Sequence, residues 1–158
     1  MGRLGDLFPE GERHEHVSRS LTSGRVLYLF CGFTSPPKEK YVVVVGFDAQ
    51  QRPLLFVINS SIHPYIQQRP DLLHCQVRLS ASDYGFLDHD SFADCSKVID
   101  DFDYQTISEQ LILDTGRIKG ELSEGTKKEI IRVVQAARTI IAEHKGLILK
   151  SLEQPGSS

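Results

Sequence analysis

The sequence predicts a mainly β fold, a small barrel of antiparallel strands that a C-terminal helix closes. Short runs of β-branched and aromatic residues alternate with turn-forming residues over residues 24–79. A strand at residues 91–99 is followed, after a turn-rich stretch, by a second strand near residues 116–123. An apolar stripe at spacings of three and four over residues 130–141 is typical of an amphipathic helix, and such a stripe needs a sheet to cover.

The strands follow from composition in chain order. Residues 41–47 are an uninterrupted apolar run, which predicts a strand buried on both faces. The stretch 35–40 before it is predicted as a loop, because consecutive prolines remove the backbone donors that a sheet needs. Residues 107–113 fit a short helix or a strand, and periodicity does not separate the two. The other strands are predicted at residues 25–31, 54–59, 75–79 and 91–99.

The C-terminal helix is predicted from about residue 123 to residue 145. Ser123 or Thr126 can cap its start, residues 126–129 fit a capping box, and Gly146 is the expected C-terminal stop. These elements form one domain over residues 23–150. A flexible or short-helical lead is predicted at residues 1–22 and a disordered tail at residues 151–158.

Composition and charge narrow the classes of function. A chain of 158 residues is sized for one domain with its own core. The net charge is −3 without a strongly basic stretch, which argues against strong non-specific binding to duplex nucleic acid. No apolar run approaches the roughly 20 residues that span a bilayer, so no membrane association is expected. Three widely spaced cysteines and an N-terminus without a signal-peptide core predict free thiols and a cytoplasmic location.

Several short motifs occur in the order and spacing of a known family. The first strand begins with Gly24, a valine-rich strand follows Lys40, and Asn59 and Ser60 end the next strand. The motifs are GRVLYL at 24–29, KYVVVV at 40–45, VINSSI at 57–62, FLDHDSFA at 86–93 and GRIKGELS at 116–123. In this order the chain resembles the MazF/PemK-like family of small SH3-like barrels, many of which are ribonuclease toxins.

The resemblance implies a metal-independent endoribonuclease that acts on single-stranded RNA as a homodimer, with an antitoxin peptide as inhibitor. In active members an Arg in the first long loop and a Thr or Ser after the third strand drive cleavage, and this chain has Lys40 and Asn59 there. Lys lacks the bidentate fork of Arg. This exchange favours the alternative, an inactive barrel of the same fold that binds protein or nucleic acid. A dimer is also expected because an apolar edge at residues 42–45 would need a partner.

Four residues are the predicted catalytic set. A ribonuclease of this type activates the 2′-hydroxyl of RNA, expels the 5′-oxygen and stabilises the charge on the phosphate. Lys40 would supply positive charge, Glu39 would act as base or orienting group, and Asn59 and Ser60 would donate hydrogen bonds to phosphate. A hairpin of this length places Lys40 and Asn59 near each other at its open end. The alternative interpretation is a solvated loop pair and an ordinary strand end.

Four other residues are candidates for binding the substrate. Arg25 and Arg78 would add positive charge if their strand ends face the same cleft. Tyr65 and Tyr84 lie in predicted loops, where aromatic rings can stack on unpaired bases. The competing interpretation is that these tyrosines pack back onto the core, as aromatic residues usually do.

No metal site and no cofactor is predicted. His14 and His16 lie two residues apart in a polar segment without a third ligand nearby in sequence. Other histidines and cysteines, such as His89 and Cys95, lack the spacing of a zinc site. A His89–Cys95 nucleophile pair is also disfavoured, because a cysteine in an apolar strand is usually inert packing.

Overall fold

The computed structural model describes residues 10–154. The start of the predicted flexible lead (residues 1–9) and the end of the predicted tail (residues 155–158) lie outside them. The strands are β1 (Arg25–Cys31), β2 (Lys38–Phe47), β3 (Pro53–Asn59), β4 (Gln76–Leu79), β5 (Ser91–Ile99) and β6 (Ile118–Glu121). The helices are α1 (Glu10–Ser20), α2 (Pro64–Gln67), α3 (Pro70–Leu73), α4 (Tyr104–Leu113), α5 (Glu124–Ala136) and α6 (Ala142–Glu153), with a 3-10 turn at Thr115–Arg117.

The strands form one curled, six-stranded half-barrel in the order β4-β5-β3-β2-β1-β6. Every neighbouring pair is antiparallel. The β2–β3 hairpin lies in the middle of the sheet, and β6, the strand that precedes α5, pairs with β1 at one edge. This confirms the prediction of a mainly β fold of antiparallel strands, and the curled half-barrel is consistent with a small barrel.

Helices cover both faces of the sheet. Along β2 the valines alternate between two cores: Val43 and Val45 pack with α5 and α6, whereas Val42 and Val44 pack with α1 and α4. All of these valines are fully buried. The apolar run at 41–47 therefore predicted the two-sided burial correctly. We call the two sides the α5 face and the α1 face.

The strand β2 begins earlier than predicted. Residues 38–40, assigned to a loop, pair with the end of β1, with Lys38 opposite Cys31 and Lys40 opposite Leu29. The prolines at 36 and 37 precede the first paired residue, so no ladder donor is lost. Glu39 and Lys40 are consequently strand residues, and the alternation of the strand decides which face each side chain takes.

The predicted single C-terminal helix is two helices. Helix α5 ends at Ala136, and α6 starts at Ala142 after an extended connection. Ala137 and Ile140 of the connection are buried in the core of the α5 face, and the Thr139 hydroxyl donates to the Ser96 carbonyl at 2.5 Å. The apolar stripe therefore continues through a break that its spacing does not reveal. Gly146 lies inside α6 and does not stop a helix.

Both ends of the described chain contribute to the cores. Val17 of α1 and the following Leu21 are 1% and 3% exposed. Residues 151–153, predicted as tail, form the last turn of α6, where Leu152 is 5% exposed. These apolar side chains pack the two helices against opposite faces of the sheet. Their burial favours helical structure at both ends of the described residues.

The strand edges differ from those on which the dimer argument was based. β2 lies between β1 and β3, so residues 42–45 expose no edge, and this reason for a dimer is wrong. The edges are β4 and β6, each of four residues, and such short edges offer little for edge-to-edge association. No helix within residues 10–154 has the length and apolar character to cross a membrane.

Candidate functional site

A cleft of about 540 Å³ opens where the β2–β3 hairpin ends, away from its turn. It is lined by all four residues of the predicted catalytic set: Glu39, Lys40, Asn59 and Ser60. The other lining residues are Tyr28, Lys38, Tyr41, Ile58, Ser61, His63, Pro64, Leu87, Asp88, His89 and Ser91. The fold thus joins strand ends that are about 20 residues apart in sequence with the segments around residues 63 and 89.

Lys40 and Asn59 contact each other directly. Tyr41 and Ile58 are the last paired residues of the hairpin, and the next residue on each strand is Lys40 and Asn59. The Lys40 ammonium donates to the Asn59 side-chain oxygen at 2.7 Å. This bond orients the amide so that its NH₂ group remains to donate to a bound anion.

Burial lowers the pKa of Lys40 below the ordinary lysine value of 10.5, and repulsion from Lys38 lowers it further. Both causes destabilise the ammonium form. An anion bound beside Lys40 would relieve this penalty, and its attraction is stronger than it would be in bulk water because the ammonium is partly desolvated.

The pleat of the sheet separates the predicted catalytic set. Because successive side chains of a strand face opposite sides, Glu39 lies on the same face of β2 as the residues that pack on α5. Lys40 lies on the other face, with the residues that pack on α1. A smaller hollow of about 290 Å³ on the α1 face is also lined by Lys40 and Asn59, together with Asp94 and Lys97. The Lys40–Asn59 pair therefore lies at the rim between two hollows, and Glu39 lies on the cleft side.

Arg117, for which no functional role was predicted, forms an ion pair with Glu39. One guanidinium NH₂ group of Arg117 pairs with the Glu39 carboxylate, and the other donates to the Tyr28 carbonyl at 2.9 Å. The Arg117 side chain is 21% exposed. The only sequence signal was the GRIK motif that leads into β6, 78 residues after Glu39. The pair orients the Glu39 carboxylate within the cleft.

An aromatic wall borders the cleft on the α5 face. The ring centroids of Tyr28 and Tyr41 are 4.7 Å apart, and those of Tyr41 and Phe86 are 5.6 Å apart. The Tyr41 hydroxyl donates to the Phe86 carbonyl at 3.2 Å, and the Lys119 ammonium lies 5.8 Å from the Tyr28 ring centroid. Burial, with Tyr28 and Asp88 nearby, raises the pKa of Tyr41. Such rings offer a surface on which an unpaired base can stack.

Tyr84, predicted to lie in a loop and bind substrate, is a buried residue that bonds the start of α5. It is 6% exposed, its hydroxyl donates to the Thr126 hydroxyl at 2.7 Å, and it accepts the Ser123 backbone N–H at 3.2 Å. Ser123 is the N-cap of α5. Tyr84 therefore anchors the start of a helix, because a buried phenol requires partners for its hydroxyl.

The other predicted binding residues lie outside the cleft lining. Arg25 donates to the Ser20 carbonyl at 3.0 Å, near the end of β1 away from Lys40. Arg78 pairs with Asp90 on the edge strand β4. Tyr65 is 56% exposed and follows the lining residues 63–64, and its ring lies 5.4 Å below the Arg69 guanidinium. Of the four candidates, only Tyr65 is both exposed and next in sequence to the cleft lining.

Two histidines line the cleft, and the sequence analysis did not predict them there. His63 precedes α2 and accepts the Tyr65 backbone N–H on Nδ1 at 3.1 Å. His89 lies just before β5, and its Nδ1 is 3.1 Å from the Asp90 carbonyl. Both are exposed. His89 lies in the FLDHDSFA motif but was considered only beside cysteines, and His63 belongs to none of the motifs.

The cysteines and the remaining acidic groups form no reactive centre among the described residues. Cys31, Cys75 and Cys95 are buried free thiols, and burial raises the pKa of each. Across residues 10–154 no group of three His, Cys, Asp or Glu residues is arranged to hold a metal ion. A groove of about 750 Å³ between α3 and α5 contains none of the predicted site residues.

Comparisons of the chain with protein-family models, with curated proteins and with solved structures found no match. Membership of the MazF/PemK-like family therefore stays a prediction from the short motifs. The function has to be inferred from the residues that the fold brings to the cleft.

Proposed function

We propose that this chain is a divergent MazF/PemK-like, SH3-like barrel that cleaves single-stranded RNA as a metal-independent endoribonuclease. The observation that carries the proposal is the cleft at the open end of the β2–β3 hairpin. It unites an ammonium group, an oriented amide and hydroxyl groups beside an aromatic wall. These groups can bind the phosphate and an unpaired base of RNA and stabilise the charge that develops in phosphoryl transfer.

The geometry of Lys40 and Asn59 supports binding of the scissile phosphate. Lys40 can neutralise the charge that develops on the phosphate oxygens, and it is partly desolvated before the substrate arrives. Because Lys40 engages the Asn59 oxygen, the amide NH₂ group is the side that a phosphate would meet. The Ser60 hydroxyl, next along the chain and in the same lining, can donate to a second oxygen.

The substrate class follows from the wall and the charge. Stacking on Tyr28 or Tyr41 requires a base that is not already stacked in a duplex. The net charge of −3 does not suit a binder of long duplexes, whereas Lys38, Lys40 and Lys119 give the cleft local positive charge. A single strand of a few nucleotides satisfies both conditions, and the family resemblance implies that this strand is RNA.

An inactive binding module is the second candidate, and one observation favours it. The charged groups of the cleft already have partners: Glu39 pairs with Arg117, and Lys40 bonds Asn59. A site whose charges are satisfied can bind RNA or a protein without activating a nucleophile. The homodimer and the antitoxin peptide belong to the proposal in either form, as expectations of the family resemblance.

The test is cleavage of a long single-stranded RNA in the presence of EDTA. We expect cleavage by the wild type and a loss on the order of a hundredfold in Lys40→Ala and in Asn59→Ala. Lys128→Ala is the matched control, because Lys128 is an exposed lysine of α5 outside the cleft lining. RNA binding without cleavage would establish the binding module instead. Cleavage that persists in both variants would place the site elsewhere.

A further inference from the structure

The aromatic wall of the cleft continues along β1 to a ring outside the cleft lining. Phe30 follows Tyr28 by two residues and lies on the same side of the sheet, because Leu29 and Cys31, which alternate with them, pack in the core of the α1 face. Alternate residues of a strand are about 7 Å apart, so Tyr28 and Phe30 hold neighbouring positions. The Phe30 ring is 48% exposed, and among residues 10–154 no aromatic ring or cation packs on it.

Hydrogen bonds hold the Phe30 backbone in place although its ring is exposed. The Gln110 side-chain oxygen accepts the Phe30 N–H at 2.9 Å, and the Gln110 NH₂ group donates to the Phe30 carbonyl at 3.3 Å. On its other side β1 pairs with β2, with Phe30 opposite Glu39. Both backbone groups of Phe30 are therefore taken, so an added peptide strand would find no free donor or acceptor there. What Phe30 offers to a ligand is the face of its ring.

Positive charge lies beside these rings. The Lys119 ammonium is 5.8 Å from the Tyr28 ring centroid, and within residues 10–154 it has no carboxylate partner. Glu39, the acid opposite Phe30, is balanced by its ion pair with Arg117. Bases stack on aromatic rings and phosphates attract lysine, so an exposed ring near an ammonium group without an ion pair suits a nucleotide of a single strand.

We propose that Phe30 is a second stacking position for RNA, and that a bound strand crosses the sheet from the Lys40–Asn59 pair over β1 to Lys119. The proposal rests on the binding of single-stranded RNA proposed above and adds the course of the strand outside the cleft. β3, β2, β1 and β6 are neighbours in that order, and neighbouring strands are about 4.8 Å apart. Asn59 on β3 and Phe30 on β1 are therefore about 10 Å apart, which a short stretch of single strand can span.

A tryptophan introduced at Phe30 reports stacking directly. The chain contains no tryptophan, so Phe30→Trp provides its only indole, and a base that stacks on the indole quenches its fluorescence. Phe33→Trp is the matched control, because Phe33 is also exposed but lines the hollow of the α1 face. The probe is a mixed-sequence RNA oligonucleotide with 2′-O-methyl groups, which cannot be cleaved through its 2′-oxygens.

The single-stranded probe should quench Phe30→Trp and leave Phe33→Trp unchanged. The duplex of the probe with its complement should quench neither variant, because its bases are already stacked. Alanine variants test the ring without a new fluorophore. In fluorescence anisotropy of the labelled probe, we expect Phe30→Ala to bind on the order of tenfold more weakly than the wild type, and Phe33→Ala to stay within about twofold.

Salt dependence separates the ring from the ammonium group. Each neutralised phosphate of a single strand contributes about −0.7 to the slope of log K against log salt concentration. Lys119→Ala should make this slope shallower by about 0.7, whereas Phe30→Ala should leave the slope unchanged. Lys128→Ala, at an exposed lysine of α5 outside the cleft lining, should change neither the affinity nor the slope.

The other outcomes separate the course of the strand from the function. Binding of the probe without quenching of Phe30→Trp would refute this course and leave the function proposed above standing. Quenching of Phe33→Trp alone would refute it in favour of the α1 face, and equal quenching by the duplex would refute stacking. A wild type that binds no single strand would refute both the course and the function. The expected quenching in a chain that cleaves no RNA would support the course and refute only the ribonuclease.

Discussion

The two ends of the β2–β3 hairpin are built from the same strands and differ in what covers them. At the turn end, residues 43–47 and 53–56, helices lie on both faces and Val45, Leu54 and Phe56 are fully buried. At the open end, residues 38–41 and 58–61, the sheet extends past its helices, and Lys38, Glu39 and Ser60 are exposed. Apolar burial is therefore greatest at one end of the hairpin, and exposed polar side chains gather at the other.

The two ends of the hairpin also differ in backbone hydrogen bonding. The turn is closed by Asp48, whose carboxylate accepts the backbone N–H groups of Gln50 and Arg52 at 2.9 and 2.8 Å. Gln51 takes the left-handed conformation that the tight turn requires. The open end has no such closure, so its strand ends are available to a ligand. If this division is correct, substitutions at the turn end should change stability, and substitutions at the open end should change activity.

The largest loss of stability is expected from a substitution at the turn end of the hairpin. Phe56→Ala removes a fully buried ring from the core of the α5 face, and we expect the free energy of unfolding to fall by about 3–5 kcal/mol. Urea denaturation followed by circular dichroism measures it. An equal loss in Tyr65→Ala, at an exposed ring beside the cleft, would show that stability is not divided along the hairpin as described.

A smaller loss of stability is expected at Tyr84, whose hydroxyl bonds the start of α5. Tyr84→Phe removes the hydroxyl that bonds Thr126 and Ser123 and keeps the ring packing. We expect a loss of about 1 kcal/mol in the free energy of unfolding, the usual value of a hydrogen bond. Tyr65→Phe, which removes an exposed hydroxyl, is the matched control and should be neutral. RNA cleavage should persist in Tyr84→Phe, because this tyrosine is buried outside the cleft lining and anchors a helix.

At Lys40 we expect substitution to raise the free energy of unfolding while it lowers RNA cleavage. Its pKa is lowered in the folded chain, so between that value and 10.5 the unfolded chain binds more protons, and stability rises with pH. Lys40→Met removes the buried charge. We expect the variant to gain stability relative to the wild type at pH 7, and this gain to shrink as pH approaches 10.5. Urea midpoints at pH 7 and pH 10 test it, and a gain that grows with pH would refute it.

The smallest effect is expected at Arg78 on the edge strand. Its ion pair with Asp90 is exposed, with side-chain exposures of 65% and 39%, and exposed pairs contribute little. Arg78→Ala should shift the melting temperature by less than about 2 °C. The pKa of Asp90 should stay below its usual value, since the hydrogen bond from the Ala81 N–H, the largest single cause of the lowering, remains. A large loss of RNA cleavage would restore Arg78 as a binding residue.

Elements whose residue pattern is local could be predicted from the amino-acid sequence. The valine run of β2 predicted a strand buried on both faces, because alternate side chains of a strand face opposite sides. The hairpin length predicted the contact of Lys40 with Asn59, because antiparallel pairing brings the two strand ends together. The cap of α5 at Ser123 was one of two positions that its sequence allowed.

Contacts between residues far apart in sequence could not be predicted, because they depend on how the strands pair and pack. Arg117 reaches Glu39 because β6 returns to pair with β1, and no local pattern encodes that pairing. The break between α5 and α6 keeps the apolar spacing of one helix, so only the packing of Ala137 and Ile140 on the sheet reveals it. His63 and His89 come from loops on either side of β4, and loop conformation depends on the sheet that supports it.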